Sequence, residues 1–550
     1  MACFVSYSYT SFHWKTNSLI RKTEICRKKG TGKVYSSRDL VAALPKTPTP
    51  QKDPVQEKNQ TKRSNETSVN EDSFFSLILN RVVDTVDDAM VHFNRTFFPP
   101  KIDPQAKKPT LVILGTGWAA HSLIKVIDTV KYDVRVVSPR NYFLFTPMLP
   151  STAVGTVEFR SIVETFRTAN PFVDYFEAHC VDVDLQKQVA VCESNIPGEK
   201  RKFQIFYDYL VIAVGAATNT FGTPGVQEHC YFLKEISDAR GLRRAIVERF
   251  ELASFPDISK EEKCRLLSFV VVGGGPTGCE FAAELHDFLV QDLKKYYPKL
   301  FGDVQVLLLQ SGDSILTQFD RTLQEKALEN FRQSNIQVIT KARVTEVTST
   351  HIRLVDGKEI PYGLAVWAAG NGTQPLTRLL LSKIPEQKVD EARGRLLVDS
   401  WLRVKGALNV FAVGDCAAME PVPLPATAQV AGQQGAYLAR LFNRDYCLSC
   451  PVPESEEKST APLAKWRPGG SPEVAKPFQF LSLGILAYIG RERAMAQIET
   501  GLEKIKMAGV LTYLLWQSVY ITKQVSFRNR VLVLFDWFKT RVFGRDMSQF

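Results

Sequence analysis

Residues 110–137 read TLVILGTGWAAHSLIKVIDTVKYDVRVV, and residues 268–285 read SFVVVGGGPTGCEFAAEL. Each stretch passes from an apolar strand into a small-residue turn and then into an apolar-periodic helix. In the first, Leu111–Leu114 leads into Gly115-Thr116-Gly117-Trp118-Ala119-Ala120, and a second strand, Val134–Val137, follows the helix. In the second, Phe269–Val272 leads into Gly273-Gly274-Gly275-Pro276-Thr277-Gly278. The first glycine of each turn permits the tight bend. The second (Gly117, Gly275) lets backbone approach a pyrophosphate, and the small residue that follows (Ala120, Gly278) keeps helix and strand close. The helix N-terminus then presents free N–H groups and a positive dipole end to the phosphates. One such motif is weak evidence, but two in the right strand–turn–helix context are specific. They predict an α/β chain with two Rossmann-type dinucleotide-binding domains, the first cradle holding FAD and the second NAD(P).

The residue closing the second strand of such a unit usually carries a carboxylate for the ribose hydroxyls. The first cradle has Ser138 there, followed by Pro139-Arg140-Asn141. A hydroxyl still hydrogen-bonds ribose, and Arg140 is a candidate contact for a phosphate or the adenine. In the second cradle the strand VQVLLLQSG (304–312) ends at Gln310. A carboxylate there would favour NADH by repelling the extra phosphate of NADPH. Neutral Gln310 removes that repulsion, so NADPH is expected to be accepted beside NADH.

Three more segments have the strand-to-small-residue form of a flavin site. They are YLVIAVGAATN (209–219) with Gly215, VWAAG (366–370) ending at Gly370, and ALNVFAVGDCAA (407–418) with Gly414-Asp415. An acid beside glycine at a strand end suits the flavin's ribityl hydroxyls, a role expected of Asp415.

The chain's 550 residues exceed one ordinary domain, and its 45% hydrophobic content is enough for a sizeable core. Its net charge of +11 is compatible with an anionic membrane surface, an anionic substrate or nucleic acid. Residues 1–38 hold eight Lys/Arg and one acid, Glu24, among many Ser and Thr, the composition of an organelle transit peptide. The ten cysteines are scattered and imply no disulfide framework, and the lone CxxC, Cys447 and Cys450, lacks the further ligands of a zinc site. No apolar run reaches 18 residues, so no spanning helix and no ion pumping are expected.

GTGWAA, SPRNYFLFTPMLP (138–150), GGGPTGCEFAAELHDF (273–288), FAVGDCA (411–417), PATAQVAGQQGAYLA (425–439), LGILAYIG (483–490) and the tail DWFKTRVFGRDMSQF (536–550) together resemble the type II, alternative, rotenone-insensitive NAD(P)H:quinone dehydrogenases. The resemblance runs from about residue 108 to the last residue. It implies a glutathione-reductase-like fold, non-covalent FAD, hydride transfer from nicotinamide to flavin, and delivery of two electrons to a membrane quinone. It also implies monotopic attachment and a homodimer. By the same resemblance Glu280 lies between the nicotinamide and quinone sites, and Ala428, Gln429, Gln433 and Gln434 line the flavin and quinone pocket. Tyr488 falls near the quinone tunnel. Neutral amides suit quinone carbonyls because they donate without charging an apolar tunnel.

The resulting division is 1–45 transit peptide, 46–107 linker and N-terminal arm, 108–240 with 371–475 flavin domain, 241–370 NAD(P) domain, and 476–550 helical membrane-attachment region. Residues 491–550 hold ten Lys/Arg against five Asp/Glu among apolar and aromatic stretches, which suits a helix pair in the interface of an anionic leaflet. A disulfide reductase is disfavoured because neither cradle helix carries a redox cysteine pair. A nucleic-acid-binding flavoprotein like apoptosis-inducing factor is disfavoured by the glutamine segment, so nucleic acid is not an expected partner. Residues 73–98 are expected to form an amphipathic helix. The expected location is the mitochondrial inner membrane, peripherally, with the plastid thylakoid as the alternative. The expected quinone is ubiquinone or plastoquinone accordingly.

Overall fold

The computed structural model describes residues 74–99, 107–387, 393–444, 446, 464–465, 473–499 and 504–548. The transit-peptide reading and the CxxC lie outside these residues.

A 24-residue helix, α1 (Phe74–Phe97), opens the described chain. The first cradle then forms as β1 (Thr110–Leu114), α2 (Trp118–Val126) and β2 (Asp133–Ser138). Leu111 to Leu114 are all buried, as a parallel strand covered on both faces requires. β1 pairs in parallel with β2, Leu114 opposite Val137. Beyond β2 come β3 (Asp174–Asp184), β4 (Val189–Ser194) and β5 (Lys202–Phe206), the last two antiparallel. On the other side of β1 lie β6 (Tyr209–Ile212) and then the strand Ala407–Ala412, Val410 opposite Leu210. A ten-stranded sheet is thus closed by chain from both ends of the sequence.

The second cradle is inserted between these halves. Its strands are β7 (Ser268–Val272), β8 (Gln305–Leu309), β9 (Ile336–Ile339) and β10 (Leu364–Trp367), all parallel in the order β9-β8-β7-β10. Helix α3 (Pro276–Phe288) follows its turn. A short ribbon, Ala217–Thr218 against Asn371–Gly372, joins the two sheets. The flavin-domain boundary drawn at residue 240 therefore moves to about 218: Val226 is already in the core of the inserted domain, and Tyr231 bridges Val366 of β10.

Helix α4 (Ala428–Asn443) returns to lie on α2. They approach so closely that a Cβ on Gly435 would sit 2.0 Å from the Ala119 carbonyl oxygen. The C-terminal region is not purely helical. It begins as a three-stranded antiparallel sheet, β11 (Ile485–Gly490), β12 (Arg493–Glu499) and β13 (Lys504–Gly509), before α5 (Val510–Lys523) and α6 (Phe527–Phe543). Met507 to Gly509 complete β13 by pairing with Ala494–Ala496. No helix among the described residues is long and apolar enough to cross a membrane.

Candidate functional site

Each cradle has the geometry its spacing requires. Gly115 sits at φ +116°, where a Cβ would fall 2.3 Å from the Ala213 carbonyl oxygen, so only glycine serves. Gly117 and Gly275 face open space, with nothing within 4 Å of a built Cβ. That clear approach to two helix N-termini fits a pyrophosphate at each. Ala120 and Gly278 are buried at the helix–strand contacts, and Thr277 is exposed on the first turn of α3. Gly215, Gly370 and Gly414 all adopt positive φ at their strand ends.

The two strand-closing residues turn inward. The Ser138 hydroxyl pairs with the Thr116 hydroxyl at 3.0 Å and receives the Arg140 N–H at 3.2 Å. Arg140 itself ion-pairs with Glu235 at 2.7 Å. Gln310 spans its own glycine turn: its carbonyl accepts the Gly274 N–H, and its amide donates to the Ser314 carbonyl, both at 3.1 Å.

Asp415 is pushed up by burial and held back by two cations, Lys234 and Arg395. Neither cation was visible as a site residue in the sequence: Lys234 lies 181 residues before Asp415, and Arg395, 20 residues before it, belongs to no motif of the Gly414-Asp415 turn. Gln434 accepts the Gly414 N–H at 2.7 Å, so it braces that turn. Ala428 opens α4, capped by Thr427.

Gln429 and Gln433 share a helical face and fasten one strand of backbone. Gln429 donates to the Gly484 carbonyl at 2.8 Å and accepts from Leu483 N–H, while Gln433 donates to the Leu481 carbonyl at 2.8 Å and accepts from Leu481 N–H. Arg81 of α1 adds a bond to the Gln433 carbonyl at 3.0 Å. In this arrangement the two amides position the 481–484 segment.

That segment leads into β11, which meets α3, the helix of the second cradle. Glu280, buried on α3, accepts the Tyr488 N–H at 3.1 Å. Burial pushes the Glu280 carboxyl up to about 8, against the pull of that N–H. The Tyr488 hydroxyl donates to Asp287 at 2.5 Å. Between them on the same helix face, Glu284 is buried and accepts from the Ser151 and Thr156 hydroxyls at 2.6 and 2.8 Å. Spacing of four and seven from Glu280 could have revealed both acids as a helical column. Trp516 and Tyr513 of α5 pack against Tyr488 with tilted rings, centroids 5.7 and 5.5 Å away.

A family model described as "Pyridine nucleotide-disulphide oxidoreductase" matches residues 109–435, which makes the chain a flavoprotein with two dinucleotide sites. A second, "NDH2 C-terminal domain", matches residues 483–546. The chain is 42% identical to a probable NADH dehydrogenase of Dictyostelium discoideum, covering 80% of this chain and 91% of that protein. It is 38% identical to the mitochondrial external alternative NAD(P)H-ubiquinone oxidoreductase B1 of Solanum tuberosum, with 81% and 91% covered. The solved structure of NDH2 from Plasmodium falciparum in complex with NADH superposes with a TM-score of 0.71 at 29% identity, covering 80% of this chain and all of that one. The chain belongs to the type II NADH dehydrogenase family, and its cofactors are FAD and NAD(P)H.

Proposed function

We infer that this enzyme is a type II NAD(P)H:quinone oxidoreductase that works without pumping protons, attached peripherally to the mitochondrial inner membrane. The observation carrying this reading is the meeting of α3 and β11. The helix that opens at the donor cradle places buried Glu280 directly on the Tyr488 backbone, in the segment ascribed to quinone. FAD bound in the first cradle would supply the hydride acceptor for NAD(P)H and the two-electron donor for the quinone. The protein's share is positioning and proton supply. Gly115, Gly117 and Ala120 shape the flavin's pyrophosphate site, and Asp415 with its cations Lys234 and Arg395 suits the ribityl chain. Gly273, Gly275 and Gly278 do the same for the donor. Glu280, with its carboxyl pushed up to about 8, holds a proton at neutral pH. Gln429 and Gln433 fix the 481–484 backbone that leads to Tyr488.

The acceptor proposed is ubiquinone, since the relatives named above include a mitochondrial ubiquinone oxidoreductase. NADPH is proposed as a donor beside NADH because Gln310 adds no charge to the adenosine end. A homodimer and attachment through α5 and α6 complete the reading. The exposed apolar residues of those helices, including Leu511 at 83% and Phe527 at 79%, support it, as do the exposed Lys523 and Arg528. Anaerobic NADH should bleach the bound flavin and added ubiquinone should restore it. Flavin that stays reduced in the presence of quinone would refute the assignment.

A further inference from the structure

Helix α1 is docked with its polarity inverted. The side facing the protein is a charged stripe. Arg81 donates to Gln433 and to the Gln479 carbonyl, Asp88 pairs with Arg440 at 2.7 Å, and Asp84 pairs with Arg440 at 3.2 Å. Arg95, buried, donates to the carbonyls of Ile124 and Ala169. The opposite side is apolar and exposed. Leu79, Val83, Val86, Met90, Phe93 and Phe97 recur at alternating steps of four and three and so form one continuous stripe. Rotating the helix to bury that stripe would strip Arg440 of two carboxylates and leave Arg95 without its carbonyls. The outward direction is therefore fixed by the docking.

The position of this stripe says what it meets. Ile124 and Lys125 are adjacent on α2. The first receives Arg95 of α1, and the second donates to the Val525 carbonyl in the turn between α5 and α6. The phenylalanine end of α1 and the turn bearing exposed Phe527 are thus held to neighbouring residues of one helix end. At its other end, α1 holds Gln433, which fastens the 481–484 segment. Helix α1 is therefore tied through one end of α2 to the turn between α5 and α6, and through Gln433 to the 481–484 segment. A coiled coil with a second copy is disfavoured by charge. Among the described positions flanking the stripe, Val82, Asp87, Ala89 and Asn94, only Asp87 is charged, so a pair of such helices has no complementary ion pairs to set its register.

We propose that α1 is a second lipid-inserting helix, lying in the bilayer interface with α5 and α6 and flanking the mouth through which a lipid-soluble quinone reaches the enzyme. This rests on the membrane attachment proposed above. The test is flotation of FAD-loaded full-length enzyme with vesicles of phosphatidylcholine and cardiolipin. Val86→Glu with Met90→Glu should lower vesicle binding about tenfold, leaving flavin content and NADH oxidation by a water-soluble quinone unchanged. Leu514→Glu with Phe538→Glu tests the C-terminal helices separately. If only the C-terminal variant loses binding, the role of α1 is overturned and the attachment reading stands. If wild type does not bind vesicles, the attachment reading itself falls. If the α1 variant halves the mass in solution while keeping full vesicle binding, the stripe is a contact between copies and the proposal is wrong.

Discussion

The two cradles are built alike and treated differently by the rest of the chain. Around the first, α4 lies on α2 at glycine-to-carbonyl distance, and the Trp118 indole donates to Thr146 at 3.1 Å, tying in the 138–150 segment. Around the second, Thr277 is exposed and the strand-closing Gln310 is used to brace its own turn. A walled site suits a cofactor that stays, and an open one suits a cofactor that leaves at every turnover. The same backbone motif thus serves residence in one place and exchange in the other.

The largest expected effect separates the two directly. Gly117→Glu should yield protein without bound flavin and hence without activity, read by absorbance after purification. Gly275→Glu should retain its flavin but raise the KM for NADH by about a hundredfold, roughly 3 kcal/mol of lost donor binding. Equal loss of flavin in both would erase the distinction. Next, Gln310→Glu should lower the NADPH-to-NADH ratio of kcat/KM about tenfold, or roughly 1.4 kcal/mol. The carboxylate keeps the Gly274 N–H but loses the donation to Ser314 and gains a charge. An unchanged ratio would remove Gln310 from donor choice.

A third measurement uses pH. Glu280 is raised from 4.5 in an unfolded chain to about 8 by burial, so folding takes up a proton. Its stabilising contribution is fully present below about 4.5 and is lost as pH rises through about 8. Wild type should therefore lose more Tm than Glu280→Gln between pH 5 and pH 9, by thermal unfolding with flavin bound. Parallel curves would place the proton elsewhere. The smallest effect is expected at Ser138→Ala. This removes one internal hydroxyl pair, about 1 kcal/mol, and should weaken flavin retention by no more than about fivefold.

The cradles were legible in the sequence because they are local: strand, glycines and helix lie within twenty residues, and each glycine has one geometric reason. The strand-end placement of Gly215, Gly370 and Gly414-Asp415 was legible for the same reason. What lay beyond reach depends on pairs separated by about 180 residues or more, such as Lys234 beside Asp415 or Tyr488 on Glu280 and Asp287. Gln429 and Gln433 were readable as one helical face, but not the 481–484 backbone they bind. The sheet β11–β13 was missed because its strands are short and broken at Gly490-Arg491-Glu492, where Arg491 and Glu492 both take positive φ. Apolar and basic residues alternating there look helical when no partner strand is known.

The sheet order has a consequence for how the enzyme is made. The strand Ala407–Ala412 must pair with β6 before the flavin sheet is complete, whereas the four strands of the inserted domain are all present by Trp367. On a growing chain the donor domain can close first, while β1, β2 and β6 wait with one edge unpaired. The flavin sheet is then completed late, and a chain stopped before about residue 443 would lack both the full α4 that lies on α2 and the β11 residues that share the core of the donor domain.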